Sequence, residues 1–330
     1  WAYMALGAAL SAQLLYGIKP AVVAVVAFAA WRIGSRVLRQ PMLWAIAAGA
    51  FAGVFFLGLP FPVLILIAGV LGWVFRARLR AGGGHGGKAA AGFGPALIDD
   101  ATPIPAHALF SRAGLVRVLG TGLVLWAASL LLVYLLGGGL YTHLATFFTK
   151  AALVTFGGAY AVMPYVFQNA VETYHWLSPA QMIDGLALGE TTPGPLIMVV
   201  AYIGYVAAWL HAGALSLPLA GALGATVATW FTFLPSFVFI LAGGPWVEHT
   251  REDFKLAGPL TAITAAVVGA ILYLAVYFAG HVFWPADGPD LLAIALAAVA
   301  FLALYRNWLG MIPVILGTGL LGFCARLLIG

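Results

Sequence analysis

Charged residues are scarce in this chain. Of its 330 residues only 8% are Asp, Glu, Lys or Arg, whereas 64% are hydrophobic and the mean hydropathy is +1.05. A soluble domain carries about 25% charged residues, because most of its surface faces water. So small a polar surface cannot cover a water-soluble globule, and the composition indicates a membrane protein.

Cysteine is nearly absent, and the common catalytic signatures are missing. The one cysteine, Cys324, cannot form an intrachain disulfide or a thiolate metal site, and we expect it to pack in a core. The sequence contains no nucleotide-binding loop, metalloprotease helix signature or nucleophile elbow. ATP-driven transport and intramembrane hydrolysis therefore find no support, and we expect no catalytic residue, no metal and no cofactor.

Long apolar runs dominate the chain instead. Blocks of roughly 15 to 25 apolar residues match the length with which a helix crosses the core of a lipid bilayer. The sequence therefore predicts an all-α, polytopic helical membrane protein. The apolar blocks cover residues 1–16, 18–38, 41–58, 61–75, 115–136, 144–170, 178–210, 213–243, 256–281, 291–305 and 309–329.

Residues 76–113 interrupt this pattern. They begin with three arginines and continue with a stretch rich in Gly, Ala and Pro, a composition typical of a flexible linker. We expect this linker to be cytoplasmic and to separate residues 1–75 from residues 114–330. Basic residues elsewhere lie between apolar blocks without interleaved aromatic residues, so we expect no nucleic-acid binding.

Two parts of the chain repeat. Residues 43–79 resemble residues 291–328 in order and composition. The matched positions are Ile46 with Ile294, Pro62 with Pro313, Gly72 with Gly322 and Arg76 with Arg326, and further upstream Pro20 with Pro259. Any two hairpins rich in Ala and Leu look alike, but three elements in the same order favour a true duplication.

The charges of the matching loops indicate opposite orientations. The first copy carries Arg32, Arg36 and Arg39 between its first two spans, so this joint should be cytoplasmic. The matching joint at residues 281–290 has two Asp and no Lys or Arg, so it should be external. Arg326 is a contrary signal. Opposite polarity is typical of an inverted-topology repeat, the architecture of many secondary transporters.

The repeat also predicts a missing segment. In the second copy a Gly-Gly block and a Pro-Gly-Pro block precede the repeated hairpin, and the first copy has no room for equivalents before Trp1. By repeat symmetry we expect the full protein to begin about a hundred residues earlier, so that residues 1–75 are the C-terminal part of a first half.

The Pro-Gly-Pro block should break a helix inside the membrane. Prolines remove backbone donors, and freed backbone groups at that depth are tolerated only inside protein or beside water. The predicted product is a half-helix whose positive N-terminus binds anions. The alternative is an ordinary proline kink. The residues of this block are Thr191 and Thr192, which add hydroxyl donors, followed by Pro193, Gly194 and Pro195.

A second break is predicted at Phe156, Gly157 and Gly158, since glycine permits backbone conformations that other residues avoid. The alternative is a small-residue packing face. Pro164 lies in the same apolar block. Together the two breaks predict broken or re-entrant helices.

Lys150, Glu190 and Asp184 fall within or beside apolar blocks and are candidates for the transport pathway, because an intramembrane charge is costly unless it is paired or faces water. Lys19, just before Pro20, is either an interfacial anchor or a pathway residue. Lys150 is placed to balance the charge of an anion, or to reach the interface as an anchor. Glu190 would repel an anion when ionised, so we interpret it as a partner of Lys150 or as a proton-titrating group.

These motifs together resemble a known family. The segment F-x-K-A-A-L-V-T-F-G-G-A-Y-A-V-M-P at 148–164 and the segment W-L-S-P-A-Q-M-I-D-G-L-A-L-G-E-T-T-P-G-P-L-I-M at 176–198 are similar to one half of the chromate ion transporter family. The resemblance extends over most of the chain apart from residues 76–113. The chain departs from the family pattern because it lacks the first-half pair of motifs.

The resemblance implies a multi-pass protein of the bacterial inner membrane that exports chromate at the expense of the proton gradient. Sulfate has the same shape and charge, so a sulfate transporter stays open, as does an anion channel, and the oligomeric state stays open between a monomer and a homodimer. The resemblance carries over Phe156, Gly157, Gly158, Pro164, Trp176, Glu190, Pro193, Gly194, Pro195 and Gly204 as functional positions.

Overall fold

The computed structural model describes residues 15–80, 111–155, 159–192, 194–249, 257–285 and 288–329, and these residues form helices and connecting turns without a β-strand. The helices are α1 (Ile18–Val37), α2 (Pro41–Leu57), α3 (Phe61–Val74), α4 (Arg76–Arg80), α5 (Arg112–Leu153), α6 (Ala159–Phe167), a π-helix (Gln168–Thr173), α7 (Pro179–Glu190), α8 (Pro195–Leu210), α9 (Leu217–His249), α10 (Ala257–Phe283), α11 (Leu291–Tyr305) and α12 (Met311–Ile329).

Four of these helices are long and apolar enough to cross a membrane: α1, α5, α9 and α10. Five shorter apolar helices, of 10 to 17 residues in their apolar parts, are α2, α3, α8, α11 and α12. The predicted all-α membrane protein is thus confirmed. One detail was wrong, since Cys324 is exposed rather than packed in a core.

Local sequence signals explain where the helices begin and end. The turn between α2 and α3 uses Gly58, whose φ of 58° suits a residue without a side chain, and then Pro60. Helix α7 begins with a capping box, in which Ser178 and Gln181 bond to each other's backbone N–H, followed by Pro179 at the first helical position.

Helix α5 is a folded-back pair of arms rather than a rod. Gly138 has φ 72° and ψ −167°, which interrupts the helix. Trp126 on the first arm donates an indole N–H bond to the Thr149 hydroxyl on the second, at 3.0 Å. A straight helix would hold these residues about 34 Å apart, so the chain reverses at Gly138. The predicted separation of two apolar blocks here is therefore correct.

The second arm of α5 pairs with α6. The rings of Phe147 and Tyr165 stack with centroids 5.4 Å apart. Phe147 lies six residues before the end of α5 and Tyr165 six residues after the start of α6, so the two helices run side by side. Gln168, just after α6, bonds to the backbone of Leu59 and Phe61 at the tip of the α2–α3 hairpin. The two helices therefore enter from and return to the same end of the molecule, as a re-entrant hairpin does.

Helices α7 and α8 form a second hairpin of this kind. The ring of Tyr202 on α8 packs against Gly185 on α7, where a side chain would collide with it. Helix α7 has 12 residues and is about 18 Å long, too short for a hydrocarbon core of about 30 Å. Its end at Glu190 therefore lies inside the bundle.

The hairpin of each copy packs against a helix of the other copy. Helix α1 packs against α11 and α12, which belong to the second copy, whereas α10 packs against α2 and α3, which belong to the first. The matched glycines make equivalent contacts: Gly72 of α3 meets the backbone of Gly258 at the start of α10, and Gly322 of α12 meets the backbone of Gly17 at the start of α1. The duplication predicted from sequence therefore has a structural counterpart.

The two copies are inverted. Leu38, just after α1, packs with Ala262 and Ala265 near the start of α10. At the other end Tyr16, just before α1, donates a hydroxyl bond to Asp290, just after α10, at 2.6 Å. Equivalent helices α1 and α10 therefore run antiparallel, as an inverted-topology repeat requires.

These contacts define two ends of the molecule. We call the end that carries Arg32, Arg36 and Arg39 the arginine-rich end, and the end that carries Asp290 the Asp290 end. Helix α2 starts beside Arg39 and runs about 25 Å away, which places its tip and the openings of both re-entrant hairpins at the Asp290 end.

The ends of the predicted linker are helical where the structure describes them. Residues 76–80 form α4, and α5 begins at Arg112 with Ser111 as its N-cap. Residues 81–110, the greater part of the predicted linker, lie outside the described residues.

The glycine contact between the copies gives a stability prediction. A Cβ on Gly322 would lie 2.8 Å from the Gly17 backbone nitrogen, whereas a Cβ on Gly317 of the same helix meets nothing within 4 Å. We expect Gly322→Ala to destabilise the protein by about 1–3 kcal/mol, the usual cost of overpacking, although alanine is the better helix former. Gly317→Ala is the matched control and should be neutral or slightly stabilising. Thermal unfolding in detergent measures both, and equal melting temperatures for the two variants would contradict this packing.

Candidate functional site

A cavity of about 750 Å³ opens at the arginine-rich end, where α1, the tip of the α7–α8 hairpin and the turn between α11 and α12 diverge. Its lining mixes charged, hydroxyl, backbone and apolar groups. The lining residues are Phe28, Trp31, Arg32, Ser35, Arg36, Glu190, Thr192, Gly194, Leu304, Asn307, Leu309, Gly310, Met311, Ile312 and Pro313.

Two arginines form the mouth of the cavity. Arg32 and Arg36 are one helical turn apart on α1, so their side chains share a face. Both side chains are exposed. Among the described residues that line the cavity, Glu190 is the one acid, so the mouth carries an excess of positive charge.

The floor of the cavity holds a carboxyl group. Glu190 ends α7 and is only 5% exposed. The Tyr160 hydroxyl of α6 donates a hydrogen bond to Glu190 Oε1 at 2.8 Å, and the same hydroxyl lies 3.9 Å from the Met311 sulfur. The carboxyl group is thus held at the junction of α6, α7 and α12.

The N-terminus of α8 lies beside this carboxyl group. Gly194 is its N-cap, with φ 86°, a left-handed conformation that favours glycine, and Pro195 follows at the first helical position. The first backbone N–H groups of a helix have no partner within it and carry the positive end of the helix dipole. The predicted half-helix is therefore present, with Gly194 and Thr192 in the cavity wall.

The two threonines differ from the prediction. In this structure the Thr191 hydroxyl donates to the Leu188 carbonyl and the Thr192 hydroxyl donates to the Gly189 carbonyl, each at 2.7 Å. Their hydrogens therefore satisfy the end of α7 and are not free for an anion. Thr192 lines the cavity and Thr191 does not.

The structure places Lys150 away from this site. Lys150 is exposed near the end of α5 and is not among the residues that line the cavity. The predicted Lys150 partnership with Glu190 is replaced by the Tyr160 hydrogen bond. Pro164 is buried inside α6, just ahead of the π-helix, and does not reach the cavity either.

Part of the predicted site cannot be placed. Phe156, Gly157, Gly158 and Pro193 lie outside the described residues.

Sequence reasoning missed the arginines of the mouth. Arg32 and Arg36 served only to orient the loops, although their spacing of four already placed them on one face of α1. Tyr160 was also missed; its position two residues after Gly158 was the available signal.

The fold and the cavity define a class: a polytopic helical membrane protein with an inverted repeat and two re-entrant hairpins around a polar cavity. The profile of the chromate transporter family matches residues 1–73 and 142–323. The chain therefore belongs to the chromate transporter family. The unmatched stretch between these ranges, residues 74–141, contains the whole predicted linker and the first arm of α5.

Individual relatives agree with the family. The chain is 29% identical to a chromate transport protein of Cupriavidus metallidurans and 32% identical to one of Pseudomonas aeruginosa, each over 98% of this chain and 70% of the relative. It is 27% identical to an uncharacterised transporter of Methanocaldococcus jannaschii, over 58% of this chain and 43% of that protein. No solved structure matches the chain significantly.

Proposed function

We propose that this protein exports chromate across the bacterial inner membrane at the expense of the proton gradient. The observation that carries the proposal is the cavity, which joins two arginines at its mouth to a helix N-terminus and a buried carboxyl group at its floor. The positive-inside rule assigns the arginine-rich end to the cytoplasm, so the cavity would load its substrate from there.

Recognition of the anion follows from the chemistry of the lining. The guanidinium groups of Arg32 and Arg36 present planar sets of N–H donors that match the oxygens of a tetrahedral dianion. The free N–H groups at the start of α8 would receive the anion at the floor. In this proposal the arginines take the role that sequence reasoning gave to Lys150.

Proton coupling would arise at Glu190. An ionised carboxylate at the floor repels a dianion, whereas a protonated carboxyl can accept or donate a hydrogen bond beside it. Chromate binding at the cavity floor and ionisation of Glu190 therefore oppose each other. The protonation state of Glu190 would thus set whether the floor admits the anion, which makes this carboxyl group the candidate for coupling to the proton gradient.

Alternating access would come from the inverted repeat. Helices α1 and α10 pack against each other and each packs against the hairpin of the other copy. A rocking of one copy against the other would close the cavity at the arginine-rich end and open an equivalent path at the Asp290 end. A titratable carboxyl group at the anion site favours a transporter over a channel, which would not need one.

Uptake by everted membrane vesicles tests the proposal. Vesicles that contain the full-length protein should accumulate labelled chromate when energised, and a protonophore should abolish the accumulation. Uptake no greater than that of vesicles without the protein would overturn the transport assignment. Stronger competition by unlabelled sulfate than by unlabelled chromate would reassign the substrate to sulfate. Accumulation that follows the membrane potential alone, with no response to a pH gradient at zero potential, would favour an anion channel.

A further inference from the structure

A second pair of charges lies inside the bundle, beyond the floor of the cavity. The Lys19 ammonium of α1 lies 3.0 Å from Asp184 Oδ1 of α7. The Lys19 side chain is 23% exposed and the Asp184 side chain 7%. Neither residue lines the cavity. Burying two charges costs desolvation free energy that their attraction barely offsets, so such a pair contributes little net stability.

The pair and the cavity lie on the same seam between α1 and α7. Lys19 is about 20 Å along α1 from Arg32, and Asp184 is about 9 Å along α7 from Glu190. Between Lys19 and the cavity residue Phe28, the alanine and valine side chains of residues 21–26 on α1 are at most 5% exposed. The ion pair therefore lies toward the Asp290 end, separated from the cavity by a buried apolar section.

The same three helices that diverge around the cavity meet at the pair. Helices α1, α7 and α12 contribute Arg32, Glu190 and Met311 to the cavity. At the Asp290 end α1 joins α7 through the ion pair and joins α12 through the backbone contact of Gly17 with Gly322. Helices α1, α7 and α12 are thus apart at the arginine-rich end, where the cavity lies, and in contact at the Asp290 end.

We propose that the Lys19–Asp184 ion pair is the closed gate of the transport path at the Asp290 end. The proposal rests on the proposed transport function. Since the pair joins α1 of the first copy to α7 of the second, any motion that opens a path there has to separate the two charges. The pair thus stabilises the state whose cavity opens at the arginine-rich end. When the pair separates, the Lys19 ammonium group is free to bind the oxyanion as it leaves at the Asp290 end.

Accessibility of the cavity tests the gate without chromate. In a Cys324→Ala background, Ser35→Cys places one thiol in the cavity wall, where its reaction with a hydrophilic maleimide reports the open state in purified full-length protein. Lys19→Gln and Asp184→Asn should each slow this reaction by about tenfold, because the equilibrium moves toward the state that closes the cavity. Glu172→Gln, at an exposed carboxylate, is the matched control and should leave the rate unchanged.

Compensating variants separate the ion pair from local packing. The reversed pair, Lys19→Asp with Asp184→Lys, should restore the labelling rate. If a single variant loses its folded elution peak, Lys19→Gln with Asp184→Asn removes both charges without adding apolar packing, and it should label slowly as well. An unchanged rate in any folded variant without the pair overturns the gate, as does a reversed pair that fails to restore the rate. Because labelling requires no chromate, failure of the chromate uptake experiment leaves this test intact.

Discussion

Replacing both arginines at the mouth of the cavity, Arg32→Gln with Arg36→Gln, should reduce chromate transport about 100-fold. A hydrogen bond to a charged group contributes about 1.5–3 kcal/mol, and each 1.4 kcal/mol corresponds to a factor of ten, so each lost guanidinium accounts for about tenfold after allowance for its exposure. Initial rates of labelled chromate uptake in everted vesicles measure the effect.

A third arginine at the same end of the molecule supplies the control for this prediction. Arg39 is also exposed and lies just beyond the end of α1, but it does not line the cavity. Arg39→Gln removes a positive charge from the same end of the molecule and should leave the uptake rate within about twofold of the wild type, since distant exposed charges are screened by salt. An equal loss of uptake rate in Arg39→Gln and Arg32→Gln would indicate that the arginines act only through the general positive charge of the surface.

Glu190→Gln should abolish the dependence of transport on the proton gradient. Glutamine keeps the size of the side chain and its bond from Tyr160 but cannot exchange a proton. Under a pH gradient at zero membrane potential, vesicles with this variant should then accumulate no more chromate than vesicles treated with a protonophore, although downhill exchange of chromate continues. Accumulation by Glu190→Gln at the wild-type level would remove this carboxyl group from the coupling mechanism.

Another glutamate of the chain provides a matched comparison. Glu172 also accepts a tyrosine hydroxyl bond, from Tyr273 at 3.3 Å, but it is exposed and far from the cavity lining. Glu172→Gln should retain gradient-driven accumulation. A loss of coupling in both variants would indicate a general effect of removing carboxyl groups rather than a role for the cavity floor.

Most of the fold was predictable because its signals lie in short stretches of the sequence. Apolar block length identified the helices, Gly58 and Pro60 marked a hairpin turn, and the Pro-Gly-Pro block marked the start of α8. The charges of Arg32 and its neighbours against the acidic joint before α11 predicted the inverted repeat. Each of these signals depends on a few neighbouring residues, so the pattern and the structure agree.

The site was less predictable because it depends on which helices meet. Lys150 lies six residues before Phe156 and Glu190 three residues before Pro193, and neither spacing shows that Lys150 is exposed while Glu190 faces the cavity. The exchange of hairpins between copies brings α1 beside α7, and this contact creates both the cavity and the Lys19–Asp184 pair. Such long-range packing has no local signature.

Equilibrium binding of labelled chromate to the purified full-length protein tests the central claim most directly. The account predicts saturable binding that is retained in Arg39→Gln and lost in Arg32→Gln with Arg36→Gln, because only the latter two arginines line the cavity. Saturable binding of unchanged affinity in the double variant would contradict the assignment of this cavity as the chromate site.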